Sequence, residues 1–190
     1  TAYEEIWNGV SSSGVSGASS NDTLGYANSY GPVSFSVAHT RGGTAGSSDG
    51  NVAAETGNSI TDMAVSIDGS MLLDGLTIAA ATSTEDGLNN ATDTTNNVGH
   101  VLYSTGPVSV GYRLAESQPG SGKTVQTGKN IEAYSIAFAV NDNLSLSFGE
   151  QETEYDVASS ASNVTEEVTA LNASYTIGAA SIRTTLSESA

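Results

Sequence analysis

Large and small residues alternate along much of this chain. Over Pro32–Thr40, the odd positions carry Val33, Phe35 and Val37, and the even ones Ser34, Ser36 and Ala38. Met63–Ile67 keeps the rule, and Val108–Ala115 places Val108, Val110, Tyr112 and Leu114 on one side. Tyr134–Val140 and Leu144–Gly149 repeat it. A period of two over this length specifies a strand with one apolar and one polar face, and it excludes a disordered chain. The pattern predicts ten strands, near 23–30, 32–40, 60–68, 73–82, 97–105, 107–116, 130–140, 143–150, 166–177 and 179–187. Within the 60–82 hairpin, Met71–Gly75 reads equally as strand or as extended turn.

Turn residues divide these strands with a regular beat. Gly31-Pro32, Asp68-Gly69-Ser70, Gly106-Pro107, Asn141-Asp142-Asn143 and Gly178-Ala179 are tight-turn sequences. With residues 31, 69, 106, 142 and 178 as markers, the spacings are 38, 37, 36 and 36. Longer polar stretches at 41–59, 83–96, 117–129 and 150–165 fall between them. Short turns therefore lie at one end of the strands and long loops at the other. A propeller blade of similar period needs four short strands, where only two long ones fit here.

Alternation serves a soluble sandwich and a membrane barrel equally, and they differ in what the apolar face meets. Strands of about ten residues match the 9–11 needed to cross a bilayer at a tilt. Short turns at one end and long loops at the other are the barrel arrangement. The other face (Ser34, Ser36, Ser66, Ser109, Gly111, Ser135, Ala137, Ser145, Ser147, Gly149, Ser181) is small and polar, which suits a wet lumen. Tyr30, Tyr103, Phe138 and Tyr175 fall near short turns, and Tyr112, Tyr134 and Phe148 towards loop ends, as two aromatic girdles would; cross-strand aromatic pairing accounts for them as well. Arg113 and Arg183 share the small-residue parity. Facing lipid at mid-depth would cost each about 2–4 kcal/mol, so the lumen is the favoured side. Glu116, Glu132 and Glu150 have the apolar parity but lie towards the loop ends. The predicted fold class is all-β, an antiparallel up-and-down transmembrane barrel.

Composition narrows the function. The 190 residues carry 21 Asp and Glu against 5 Lys and Arg, for a net charge of −16. This charge excludes nucleic acid as a partner, since phosphate binding needs clustered bases. Without cysteine there are no disulfides, thiolate metal sites or thiol nucleophiles. His39 and His100 lie on different strands without ligand spacing. Gly120–Thr124 lacks the first glycine of a phosphate loop, residue 117 being serine, and its flanks are strands rather than a helix. No G-x-S-x-G elbow occurs, and the N-x-S/T triplets at Asn21, Asn90 and Asn163 have meaning only in a eukaryotic secretory context. No enzyme is expected and no cofactor, beyond Ca²⁺ held loosely at acidic loop residues such as Asp49, Asp86 and Asp93.

In Asn21–Thr40, Asn130–Gly149 and Glu167–Leu186, the alternation and turn placement resemble the general porins of Gram-negative bacteria, especially the alphaproteobacterial kind. The resemblance covers most of the chain but rests on no invariant motif. It implies a 16-stranded, trimeric barrel in the bacterial outer membrane, in contact with lipid and lipopolysaccharide and passing small hydrophilic solutes. On that plan residues 1–190 form one incomplete barrel domain. Residues 1–22 are the end of an inward-folded constriction loop, the ten strands are the sixth to fifteenth, and Ser187–Ala190 enters the last loop. Glu4 and Glu5 then face Arg113 and Arg183 across the pore, with Asp68 on the lumen side beside a turn. Opposed charges of this kind set up a transverse field, and the net charge favours cations. The alternative from another class is an exported soluble β protein of a surface layer, fibre or adhesin, with its apolar faces buried between two sheets.

Overall fold

The computed structural model describes residues 23–40, 59–86, 93–120, 128–156 and 163–190. Ten strands form one antiparallel sheet in strict chain order. They are β1 (Thr23–Tyr30), β2 (Val33–Thr40), β3 (Ile60–Asp68), β4 (Leu76–Glu85) and β5 (Thr94–Thr105), followed by β6 (Val108–Gln118), β7 (Gly128–Asn141), β8 (Leu144–Asp156), β9 (Val164–Ile177) and β10 (Ala180–Ser189). The all-β expectation holds, and the regular beat of turns is the beat of the hairpins.

Four of the five short connections are two-residue loops, and their sequences explain them. Gly31, Gly106 and Gly178 have φ of 57°, 53° and 58°, the left-handed first position that a tight hairpin assigns to glycine. The Asp142-Asn143 loop instead uses the side chain of Asn141, whose Oδ1 accepts from the backbone N–H of Asn143 (2.9 Å) and Leu144 (3.0 Å). The fifth connection departs from this plan. Residues 69–75 span a short 3-10 turn, Gly69–Met71, and β4 starts at Leu76, three residues later than the pattern predicts. Met71–Gly75 is therefore turn. Gly75, at φ 84°, has its backbone against β5, where a Cβ would lie 1.8 Å from the Ser104 carbonyl oxygen.

The strands also run further towards the loops than expected. Ladder continues into both ends of the polar stretches read as loops at 83–96, 117–129 and 150–165: β4 runs to Glu85 and β5 starts at Thr94, β6 runs to Gln118 and β7 starts at Gly128, and β8 runs to Asp156 and β9 starts at Val164. The described strands reach 14 residues in β7 and β9. The physical reason is visible in β8. Beyond Phe148 the outward positions become Glu150, Glu152 and Glu154 and the inward ones Gln151 and Thr153. Period two persists, but without the apolar contrast that marks it in sequence.

The two faces of the sheet are sharply different. Cross-strand register places Ser34, Ser66, Ala79, His100, Arg113, Ala133, Gln151 and Val168 in one row of the small-residue face. Every side chain buried among the described residues lies on this face, including Ala115, Ile131, Ala133, Val168 and Ala170. The exposed large apolar residues of the strands, apart from Val164 at the start of β9, all lie on the opposite face: Val65, Val101, Val110, Ile136, Phe148 and Leu171 are examples. A water-soluble sheet would bury the second set and expose the first.

Candidate functional site

The small-residue face is the candidate site, and its chemistry follows from side-chain size. Ser, Ala and Gly in successive inward positions leave the wall thin, and hollows lie along it. One of 630 Å³ is lined by Ser29, Ser34, Ser66, Thr77, Ala79 and His100, among others. A second of 310 Å³ is lined by Ser145, Ser147, Asn172, Ser174, Arg183 and Thr185.

This wall carries hydrogen-bonding groups that protein does not satisfy. Ser83 Oγ, Ser135 Oγ and Asn172 Nδ2 are buried without a hydrogen-bond partner. Each orphaned polar atom would cost about 1–3 kcal/mol in a dry interior, so such a set calls for water. Elsewhere the hydroxyls pair across strands, Ser29 with Ser34 (2.8 Å), Ser104 with Ser109 (2.9 Å) and Thr176 with Ser181 (3.0 Å).

Arg113 and Arg183 both project from this face, as parity requires. Arg113 on β6 is 7% exposed and stands opposite His100 and Ala133. Arg183 on β10 is exposed and lines the smaller hollow. Three strands lie between them, so four inter-strand steps of about 4.8 Å put them roughly 19 Å apart across the sheet, and they are two stations on the wall. Asp68 has the same parity, but it ends β3 at a short-turn connection. Its carboxylate caps the 3-10 turn, accepting from the backbone N–H of Ser70 (3.0 Å) and from the Ser70 hydroxyl. Glu4, Glu5, Asp49 and the 1–22 segment lie outside the described residues. Asp86 takes the hydroxyl of Ser59. Among the described residues, no group of three or more His, Asp or Glu is placed to hold a metal ion.

Lys129 was missed by sequence reasoning. It is the second residue of β7 and shares the small-residue parity, opposite Ser117 and Tyr155. The signal was there, but the predicted strand began one residue after it. All three basic residues of the described chain therefore stand on the wall. Their acidic counterparts there are Asp62, Asp68, Glu85 and Glu166.

The opposite face has its own order. Tyr112 and Tyr134 are cross-strand partners, and Tyr112 donates to Glu132 Oε1 (2.7 Å). On the loop side of these tyrosines the face turns acidic. Glu132, Glu152 and Glu167 stand in direct register across β7, β8 and β9, beside Glu116, Glu150 and Glu154. On the other side of the tyrosines Val110, Ile136, Phe138 and Leu146 form the apolar belt. Belt, tyrosines and charge follow one another as hydrocarbon, interface and water would.

No protein-family profile and no curated protein matches the chain. Among solved structures it is similar to OmpTdeltaL8, a loop L8 deletion mutant of OmpT, an outer membrane protein of Vibrio cholerae. The TM-score is 0.60 at 12% sequence identity, over 88% of this chain and 57% of that one. The chain thus spans 57% of the length of the protein it matches. At this identity the likeness speaks for fold. This chain has the fold of an outer-membrane β-barrel protein, in which ten antiparallel strands form one sheet, and that fold is consistent with the predicted placement in a bacterial outer membrane.

Proposed function

We propose that this chain forms part of an outer-membrane general diffusion porin, a passive water-filled channel for small hydrophilic solutes and ions that prefers cations. The observation that carries the reading is the inverted polarity of the sheet. Large apolar side chains are exposed on one face, and the other is small and polar, with buried groups that need water. A lipid-facing exterior and an aqueous lumen explain both at once. The basic residues Arg113, Lys129 and Arg183 stand on the wall, and under the porin plan Glu4 and Glu5 oppose them from a constriction loop. Asp68 sits at the short-turn rim. The net charge of −16 and the acidic loop side of the barrel raise the cation concentration at its mouth. Assembly as a homotrimer amid lipid and lipopolysaccharide, and Ca²⁺ held loosely at loop carboxylates, belong to the same proposal, as does the absence of enzymatic chemistry. A soluble surface-layer or fibre protein would cover its apolar face with a second sheet; the described strands form one sheet with that face open.

Ion conductance in planar bilayers tests the reading, using the protein extracted whole from its source membrane. Long-lived conductance steps in groups of three, with a reversal potential showing cation preference, are expected. Protein that stays in solution without detergent and gives no steps would overturn the reading, and anion preference would overturn its selectivity.

A further inference from the structure

We propose that the β3–β4 connection is a lipid-inserted wedge, its Met71, Leu72 and Leu73 side chains seated among acyl chains at the short-turn rim of the barrel. This rests on the membrane-barrel reading above. The other short connections present Gly-Pro, Asp-Asn or Gly-Ala and nothing apolar beyond a proline or an alanine. Here three consecutive large apolar side chains are 85%, 86% and 48% exposed. Water alone does not favour such an arrangement, since each side chain gains about 1.5–3 kcal/mol when fully buried.

The geometry selects lipid as the occupant. A Cβ on Gly69 would meet Leu76 Cγ and Cδ2 at 2.8 Å, so the 3-10 turn is folded down onto the Leu76 side chain. Leu76 stands opposite Tyr103 in the large-residue face, and the next outward residue of β4, Ile78, stands beside Ile67 and Val101. The apolar trio therefore continues the lipid-facing belt past the end of the strands. Its anchorage is built in. Asp68 caps the turn, and the Leu72 and Leu73 N–H groups both donate to the Gly69 carbonyl (2.8 and 2.9 Å). The backbone thus needs little from its surroundings, as an interfacial segment requires. Asp68 and Asp74 flank the trio and are exposed. Their carboxylates then meet the headgroups on either side of the apolar trio.

Depth-dependent quenching tests the proposal. Trp7, the single tryptophan, is first replaced by phenylalanine. Tryptophan is then introduced one site at a time as Leu72→Trp, as Ile78→Trp on the belt, and as Asp142→Trp in an ordinary turn at the same end. Each protein is reconstituted in vesicles of phosphatidylcholine brominated in mid-chain. The expected result is loss of emission and a blue-shifted maximum at sites 72 and 78, with site 142 quenched only by aqueous iodide. If site 78 responds to the brominated lipid while site 72 behaves like site 142, the turn projects into water and the wedge is wrong although the barrel stands. Protection of site 72 from both quenchers would mean a protein cover such as a second copy, and would also overturn it. If neither site 72 nor site 78 responds to the lipid, the membrane reading fails and takes the wedge with it.

Discussion

The two faces of strands β6 to β8 share a backbone but answer to different solvents. Outward, Val110, Ile136 and Phe148 stand in one cross-strand row, with Tyr112 and Tyr134 marking where apolar gives way to Glu132, Glu150 and Glu152. Inward, Arg113, Ala133 and Gln151 form a row in which the polar members are almost fully buried. Comparing them separates two charges that a single net value merges. Most of the carboxylates in these strands stand on the outer face towards the loops, whereas the described wall holds three basic residues against four acidic ones. Under the porin reading proposed above, the field of the wall is thus far closer to balance than −16 suggests.

The comparison is broken most severely by moving a charge across it. Ile136→Arg on the outer face should cost about 2–4 kcal/mol of stability in the bilayer. Ala137→Arg, one residue on and inward, should fold and reduce single-channel conductance. Denaturant titration in vesicles, with conductance for the second variant, checks the pair; equal destabilisation would show that the faces are misassigned. The wall itself sets the next effect. Replacing Arg113, Lys129 and Arg183 together by glutamine should raise the cation-to-anion permeability ratio several-fold, while Glu150→Gln on the outer face should leave it nearly unchanged. Reversal potentials in a salt gradient measure both, and a similar shift from the two would place the selectivity outside the wall. The smallest effect concerns the outer acidic row. Glu132, Glu152 and Glu167 are like charges in direct register, so Glu152→Gln should stabilise by about 0.2–1 kcal/mol at low salt. High salt should erase the gain.

Strand and turn positions were readable where composition and parity spoke together. Ile60–Asp68 has the bounds that the alternation predicts, because Met63, Val65 and Ile67 contrast with Ala64 and Ser66. Arg113 and Arg183 were legible as wall residues from parity alone, which register then imposes on every neighbour. Legibility ended where the outward residues changed from apolar to acidic. Along Gln151–Asp156 and Thr94–Asn96 the ladder continues through Thr, Gln, Asn and Glu, whose polarity reads as loop. Lys129 was lost with the same strand extension. The β3–β4 turn was ambiguous for the opposite reason: Met71-Leu72-Leu73 has strand-like hydrophobicity, while Asp68 and Gly75 impose a turn through a capping bond and a left-handed backbone.

The strict chain order of the strands also bears on how such a wall is made and how it varies. Each ladder among the described strands joins a strand to its immediate predecessor, so none of these pairings waits for a distant segment, and the sheet can grow hairpin by hairpin with only local searches. The same economy governs change over time. Doubling the length of a connecting loop adds only about 0.6 kcal/mol of closure entropy. The long connections can therefore lengthen, shorten and alter their chemistry between one generation of sequences and the next, while the ladder beneath them keeps its register.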